Sequence, residues 1–357
     1  MRMRTAAMPV LALVLAMGAG AAEAPAKGPW RVFILSGQSN MEGKGAIKHL
    51  EQLLADAKTA KRYAHLRAEG KWVERADVLI RYTNGQFDRK GKLTVGYAHP
   101  PNRFGAELQF GHVVGDALAE QVLLVKVCWG GRSLRFDFRP PSSGLGDFDP
   151  EWLAKLAKRK GFKGDPEKLA GHNYRDLVRM VHETLAGLKT HFPQYDGAGY
   201  ELSGFVWFQG WNDMLDGSRH KEYGPNLANL LRDLRTDLGV PTLPMIVGEL
   251  GMSGAEQQIS PRYRAKHMGF RAQQESVAKL TEFKATVRYV PTSPYVVLDG
   301  PQFDGGYHYR GRADTFFGIG NAFGKAMLGL VKKTPTDHSR QVAQAFARAR
   351  KKYGFPE

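Results

Sequence analysis

Four short stretches carry residue types that can act together on an acyl group. They are Gly37-Gln38-Ser39-Asn40-Met41, Trp129-Gly130-Gly131-Arg132-Ser133-Leu134, Trp207-Phe208-Gln209-Gly210-Trp211-Asn212-Asp213 and Asp304-Gly305-Gly306-Tyr307-His308-Tyr309. Acyl transfer needs a nucleophile, a base within hydrogen-bond reach of it, a carboxylate that orients the base, and N–H donors for the charge that develops on the carbonyl oxygen. Ser39 supplies the hydroxyl and His308 the imidazole. Asp304 is the nearest carboxylate before His308, and Gly305 and Gly306 let the chain turn so that it reaches the ring; Asp299 is its rival. The expected oxyanion donors are the backbone N–H groups of Ser39 and of Gly130 or Gly131, with the side-chain amide of Gln209. Gln38, Asn40, Arg132, Trp211, Asp213 and Glu107 are the expected substrate contacts, and no metal ligand set is expected. Each stretch also has a plainer reading. Ser39 or Asn40 can simply cap a helix, Gly130-Gly131 can be a tight turn, and His308 is one of 11 histidines. The set of four, each ending or interrupting an expected strand, is what favours chemistry over caps and turns.

The elements that must position these residues are legible as apolar runs. Val32-Phe33-Ile34-Leu35 reads as a buried strand that stops at Ser-Gly-Gln-Ser-Asn, and further strands are expected at 122–127, 204–208 and 243–247, with one or two in 287–298. Helices are expected over 49–67, 104–118, 174–188, 226–238, 262–280 and 316–330. Strands that alternate with helices of crossover length predict a three-layer α/β/α sandwich with a mainly parallel sheet, and open sheets of that kind hold ligands at the carboxyl ends of their strands. Strand-like runs at 72–82 and 93–97 on either side of Asn84-Gly85 predict a hairpin or an excursion from the sheet, inside a local insertion at about 48–100. Residues 140–149 are a loop, 151–172 short surface helices, and 332–357 a basic helical tail that reads as a solvated appendage to a domain spanning 31–331.

A chain of 357 residues with 43% hydrophobic and 11% aromatic residues buries a large core and is not disordered. Arg2 and Arg4 precede a short run of Ala, Leu, Val and Met and then small residues, the order of a signal peptide over 1–22. The run is shorter than the ~20 residues a spanning helix needs. The expected destination is therefore secreted or periplasmic, with 23–30 as a linker. The formal charge of +16 falls to +14 without Arg2 and Arg4, the only charges in 1–22. Such a field draws anionic partners, here an anionic glycan rather than nucleic acid, because no basic block is interleaved with aromatics. The lone Cys128 allows no internal disulfide and reads as a small buried apolar residue.

Gly37-Gln38-Ser39-Asn40-Met41, Gly130-Gly131-Arg132-Ser133-Leu134 and Trp207-Phe208-Gln209-Gly210 resemble the sialate O-acetylesterase and acetyl-xylan esterase branch of the SGNH hydrolases. Together with the His308 region they span most of the chain after residue 22. The resemblance implies a flavodoxin-like sandwich, a Ser-His-Asp triad of Ser39, His308 and Asp304, and removal of O-acetyl groups from carbohydrate without a metal or other cofactor. Two departures stand out. Trp211 occupies the position after Gln-Gly where the family has Glu, and Gly305 occupies the position three residues before His308 where the family has its Asp. A catalytically silent glycan-binding protein on the same fold, or an esterase for other esters, are the competing expectations.

Overall fold

The computed structural model describes residues 26–356; the expected signal peptide lies outside the described residues. Runs of β-branched, aliphatic and aromatic side chains, buried on both faces, build the centre of a seven-stranded sheet. In chain order its strands are β1 (Ala26–Gly37), β2 (Arg75–Thr83), β3 (Asp88–Leu93), β4 (Glu120–Cys128), β5 (Tyr200–Phe208), β6 (Met245–Gly248) and β7 (Val287–Val290). The spatial order is β7-β6-β5-β1-β4-β2-β3, and every pairing is parallel except that of β2 with β3. The fold is thus the α/β sandwich with a mainly parallel sheet that the alternation of elements predicts.

The principal helices are α1 (Ser39–Glu42), α2 (Ile47–Ala55), α3 (Ala106–Ala117), α4 (Pro150–Arg159), α5 (His172–Ala186), α6 (Trp211–Leu215), α7 (Tyr223–Leu238), α8 (Pro261–Ala278), α9 (Ala313–Leu328) and α10 (Ser339–Tyr353). Helices α2, α3 and α9 pack together on one side of the sheet, and α5, α7, α8 and α10 on the other. The chain leaves β1 for β2 and returns to β4 on one side of it, then crosses to β5 on the other. The carboxyl end of β1 is therefore the switch point of the sheet, where a crevice opens. Register holds the three strand ends level, with Gly37 opposite both Cys128 and Phe208. Gly37 has φ of 151° and a side chain there would collide with the Phe208 carbonyl, so only glycine lets β1 turn into α1 at this point.

At the other end of the same strands, the fully buried Arg31 donates to Glu120 (3.2 Å), Glu201 (3.0 Å) and the Lys333 carbonyl (2.5 Å), tying β4, β5 and the C-terminal segment to β1.

Several expectations are corrected. Residues 26–30 are strand rather than linker. The helix expected over 49–67 stops at Ala55, because Asp56 accepts from Lys58 N in a side-chain turn and the Thr59 hydroxyl donates to the Leu53 carbonyl. The supposed insertion at 48–100 contributes β2 and β3 to the central sheet, since β2 pairs directly with β4. The 151–172 segment forms a small core of its own around Phe136, Phe148, Leu153 and Leu156. The tail is no appendage. Helix α10 buries Val342, Ala345, Phe346 and Ala349, stacks Phe346 on His182 (4.6 Å), and sends Lys352 and Tyr353 to Asp237. Arg340, Arg348 and Lys351 lie on the face left to solvent, as amphipathic packing requires. Among the described residues no helix is long and apolar enough to cross a membrane.

Candidate active site

Ser39 begins α1 at the switch point, so its N–H is among those a helix leaves without an intrahelical acceptor. Its side chain is nearly buried, at 9% exposure. Ser39 lines a cavity of about 400 Å³ together with His308, Gly130, Gly131, Asn212 and Tyr307. Gln38, Glu42, Lys44 and Trp211 complete its wall.

His308 is brought there by a loop rather than by a strand end. Strand β7 stops at Val290, and the chain runs through irregular turns to the segment Gly306–Gly311, which corrects the expectation that all four stretches sit at strand ends. Two features hold the loop. Tyr309 is buried and its hydroxyl meets Gly251 N (3.0 Å) and Thr292 Oγ1 (2.7 Å). The Asn40 amide, on α1, donates to the Tyr307 carbonyl (3.2 Å), so the serine helix and the histidine loop are joined directly. Tyr309 and Arg310 both adopt left-handed backbone, with φ of 50° and 57°. Such conformers cost about 1–3 kcal/mol each and persist where the surroundings over-determine them.

His308 Nδ1 lies 3.0 Å from Asp304 Oδ1. Asp299, the rival acid, is exposed, and its carbonyl accepts from Arg312. Burial, the largest influence, lowers the His308 pKa against the Asp304 carboxylate, which raises it, and the net shift favours the neutral ring. Burial works to raise the Asp304 carboxyl, but the hydrogen bonds from His308 and Gly305 N outweigh it and hold it below the usual range. An ionised carboxylate thus faces the one ring nitrogen and leaves Nε2 for proton transfer.

Beside the serine, Gly130 passes so close to α1 that a Cβ on it would lie 2.9 Å from Glu42 Oε2. Glu42 is neutralised by Lys44 (3.1 Å), whose ammonium also donates to the His99 carbonyl (2.6 Å). Asn212 Nδ2 donates to the Gly131 carbonyl (3.3 Å) and its Oδ1 accepts from Gln38 Nε2 (3.1 Å), which fixes the amide at the cavity wall.

Several expected contacts turn inward instead. Gln209, 1% exposed, keeps Nε2 within 2.5–3.1 Å of Asp213 Oδ2, the Arg132 carbonyl and Gln38 Oε1, so its amide protons are spent inside the protein and it is no oxyanion donor. Asp213 accepts from Leu134 N (2.9 Å) and Arg135 N (2.7 Å) and pins the loop that carries Gly130 and Gly131. Burial pushes its carboxyl up to about 6 against those donors. Gln38 Oε1 takes Gly210 N (3.1 Å), Asn40 is committed to Tyr307, and Arg132 pairs with Asp137 at 3.9 Å outside the cavity. Glu107 is fully buried, accepting from Gly105 N (2.7 Å) and Lys126 (2.8 Å). Of the expected substrate contacts only Gln38 and Trp211 line the cavity, Gln38 as a brace for Asn212. Asn212, Tyr307, Lys44 and Glu42 are the lining residues that sequence reasoning missed. Asn212 lies within a stretch it singled out, but nothing in its type said that Asn212 faces the cavity while Gln209 and Asp213 face the loop.

Trp129 and Trp207 are core, each with its N–H satisfied, by the Asn84 carbonyl and the Tyr223 hydroxyl. Burial pushes the Cys128 thiol up to about 12, so it is chemically idle, as expected of a packed residue. No group of three or more His, Cys, Asp or Glu side chains that could hold a metal occurs among the described residues.

Comparison with known proteins bears on this site. The family model for carbohydrate esterase, sialic acid-specific acetylesterase, matches residues 29–287, which takes in Ser39, Gly130 and Asn212 and ends before Asp304 and His308. A probable carbohydrate esterase of Arabidopsis thaliana is 25% identical over 238 residues, 63% of this chain and 71% of its own. The X-ray structure of a protein from Arabidopsis thaliana has a TM-score of 0.51 at 20% identity, over 85% of this chain and 100% of that one, a likeness of fold. The crystal structure of a carbohydrate acetylesterase from Xanthomonas citri gives 0.49 at 14% identity, over 84% of this chain and 56% of that one. With the family model spanning well over half of its length, this chain belongs to the carbohydrate esterase, sialic acid-specific acetylesterase family.

Proposed function

We propose that the protein is an exported serine esterase that removes O-acetyl groups from carbohydrate. The observation that carries the reading is the convergence of Ser39 and His308 on one cavity with Asp304 Oδ1 3.0 Å from His308 Nδ1. In this reading Ser39 Oγ attacks the acetyl carbon while His308 takes its proton. The negative oxygen of the tetrahedral intermediate is met by the Ser39 and Gly130 or Gly131 N–H groups and by Asn212 Nδ2. Collapse breaks the ester bond, the sugar hydroxyl leaves with the proton from His308, and acetyl-Ser39 remains. Water, deprotonated by His308, then releases acetate and restores the serine. Export rests on the N-terminal order of charge, apolar run and small residues. The test is acetate release by the protein from p-nitrophenyl acetate and from acetylated xylan, pectin and sialic acid. Turnover of one or more glycans supports the reading; hydrolysis of none, with binding to glycan retained, would establish the silent binding protein instead.

The pH dependence follows from the buried imidazole. The neutral ring is the active form, and its pKa lies below 6.5. kcat/KM for p-nitrophenyl acetate is therefore expected to fall on acidification with an apparent pKa below the ordinary imidazole value. An apparent pKa above 6.5 would contradict the assigned surroundings of His308.

A further inference from the structure

A second cavity adjoins the one at Ser39. Trp211 and Tyr307, stacked with ring centroids 5.6 Å apart and planes inclined by 29°, line both the Ser39 cavity and a second one of about 460 Å³. Helix α8 contributes Tyr263 and His267 to the second cavity, four residues apart and so on one helical face, and the loop that carries His308 contributes Gln302 and Arg310.

Its chemistry is that of a sugar site. Tyr263 and Tyr307 are 50% and 45% exposed, two of the few large hydrophobic side chains left open among the described residues, and both line this cavity. Open aromatic rings beside amide, imidazole and guanidinium groups match a pyranose, which has apolar C–H faces and a polar rim. The volume is in the usual range for small-molecule sites, roughly 300–1,000 Å³. The charge is one-sided as well. No acidic side chain lines the cavity. Arg310, held in left-handed backbone, donates to the neutral Gln302 Oε1 (3.3 and 3.4 Å), and Arg262 adds a second cation 5.4 Å from the Tyr263 ring.

We propose that this second cavity binds the neighbouring sugar of an oligosaccharide whose acetylated residue sits at Ser39, and that this neighbour carries a carboxylate or sulfate met by Arg310. The inference rests on the esterase reading for what occupies the first cavity, so its test measures binding rather than turnover. Unacetylated trigalacturonate, a sulfated trisaccharide of agar type and neutral xylotriose are titrated calorimetrically into the full protein, with galacturonate as the monosaccharide control. At least one anionic trisaccharide should bind about tenfold or more tightly than xylotriose and than the monosaccharide, and the two anionic arms identify the group preferred. Arg310→Gln should remove the preference for the anion and Arg310→Lys should keep part of it. Tyr263→Ala should weaken all trisaccharides about tenfold, and because this ring is half exposed its loss leaves the core intact. Equal affinity for mono- and trisaccharide, no preference for anions, or Arg310→Gln binding like wild type would each overturn the proposal. Failure to release acetate in the separate assay would overturn the esterase reading alone.

Discussion

Ser39→Ala is expected to lower kcat/KM for p-nitrophenyl acetate by roughly 10³-fold or more while leaving the thermal midpoint close to that of wild type. The loss is large because, in the proposed mechanism, the hydroxyl forms the bond on which both half-reactions depend. The midpoint holds because the change removes one small oxygen at the cavity wall and α1 keeps its backbone bonds from Met41 N and Glu42 N to the Gln38 carbonyl. His308→Ala should lose a comparable amount, and the double variant hardly more than either, because residues that act as a unit are not additive. Asp304→Ala should fall short of those losses and still cost at least tenfold, whereas Asp299→Ala, with its exposed side chain, should resemble wild type. Activity of Ser39→Ala equal to wild type would end the nucleophile assignment, and a severe loss in Asp299→Ala with none in Asp304→Ala would exchange the acids.

The contrast between Asp304 and Gln209 shows what the sequence could and could not convey. Continuous apolar runs at 32–35, 122–127 and 204–208 demanded strands buried on both faces, and helices of crossover length between them demanded parallel pairing, so the sheet centre and the place of Ser39 were legible. The approach of Asp304 to His308 was within reach of the sequence too, because Gly305 and Gly306 free the chain to turn back on the ring, although residue type alone left Asp299 open as its rival. Gln209, Asp213 and Glu107 stand equally close to the chemistry in sequence, yet their polar groups point into the protein. Residue type gives hydrogen-bonding capacity and not direction, and direction here is set by strand register and by which loop lies opposite. The same limit explains the tail. The alternation of Val342, Ala345, Phe346 and Ala349 with arginines was visible, but a basic helix and a docked helix share that pattern until the groove between α5 and α7 is known. A hairpin was recognised from Asn84-Gly85, but its second strand lies at Asp88–Leu93 rather than 93–97, and its membership of the central sheet depends on the β2–β4 ladder, a long-range pairing with no local signature.

Lys126 offers the largest expected effect on stability. Its ammonium is fully buried in β4 and uses all three protons, on Glu107 Oε2 (2.8 Å), the Tyr97 carbonyl (2.7 Å) and the Glu42 carbonyl (2.9 Å), with the Tyr82 ring 4.7 Å away. The last of these acceptors closes the C-terminal end of α1, so the same ion pair that joins β4 to α3 also clamps the helix bearing Ser39. Lys126→Met keeps most of the volume but strands a buried carboxylate and two carbonyls. Breaking one side of such a pair costs about 3–5 kcal/mol, which for a protein of this size lowers Tm by about 4–7 °C. Removing both charges in Lys126→Met with Glu107→Leu should recover part of that loss, since the unpaired carboxylate is then gone while the Gly105 N–H and the two carbonyls stay unmet. Turnover should not recover in step with stability, because the Glu42 carbonyl remains unheld in both variants and α1 has only four residues with which to fix Ser39. Calorimetric melts of the three proteins beside their kcat for p-nitrophenyl acetate separate the two roles. A Lys126→Met protein as stable as wild type would show that the pair does not hold the fold, and a double variant with restored kcat would show that it does not hold the serine.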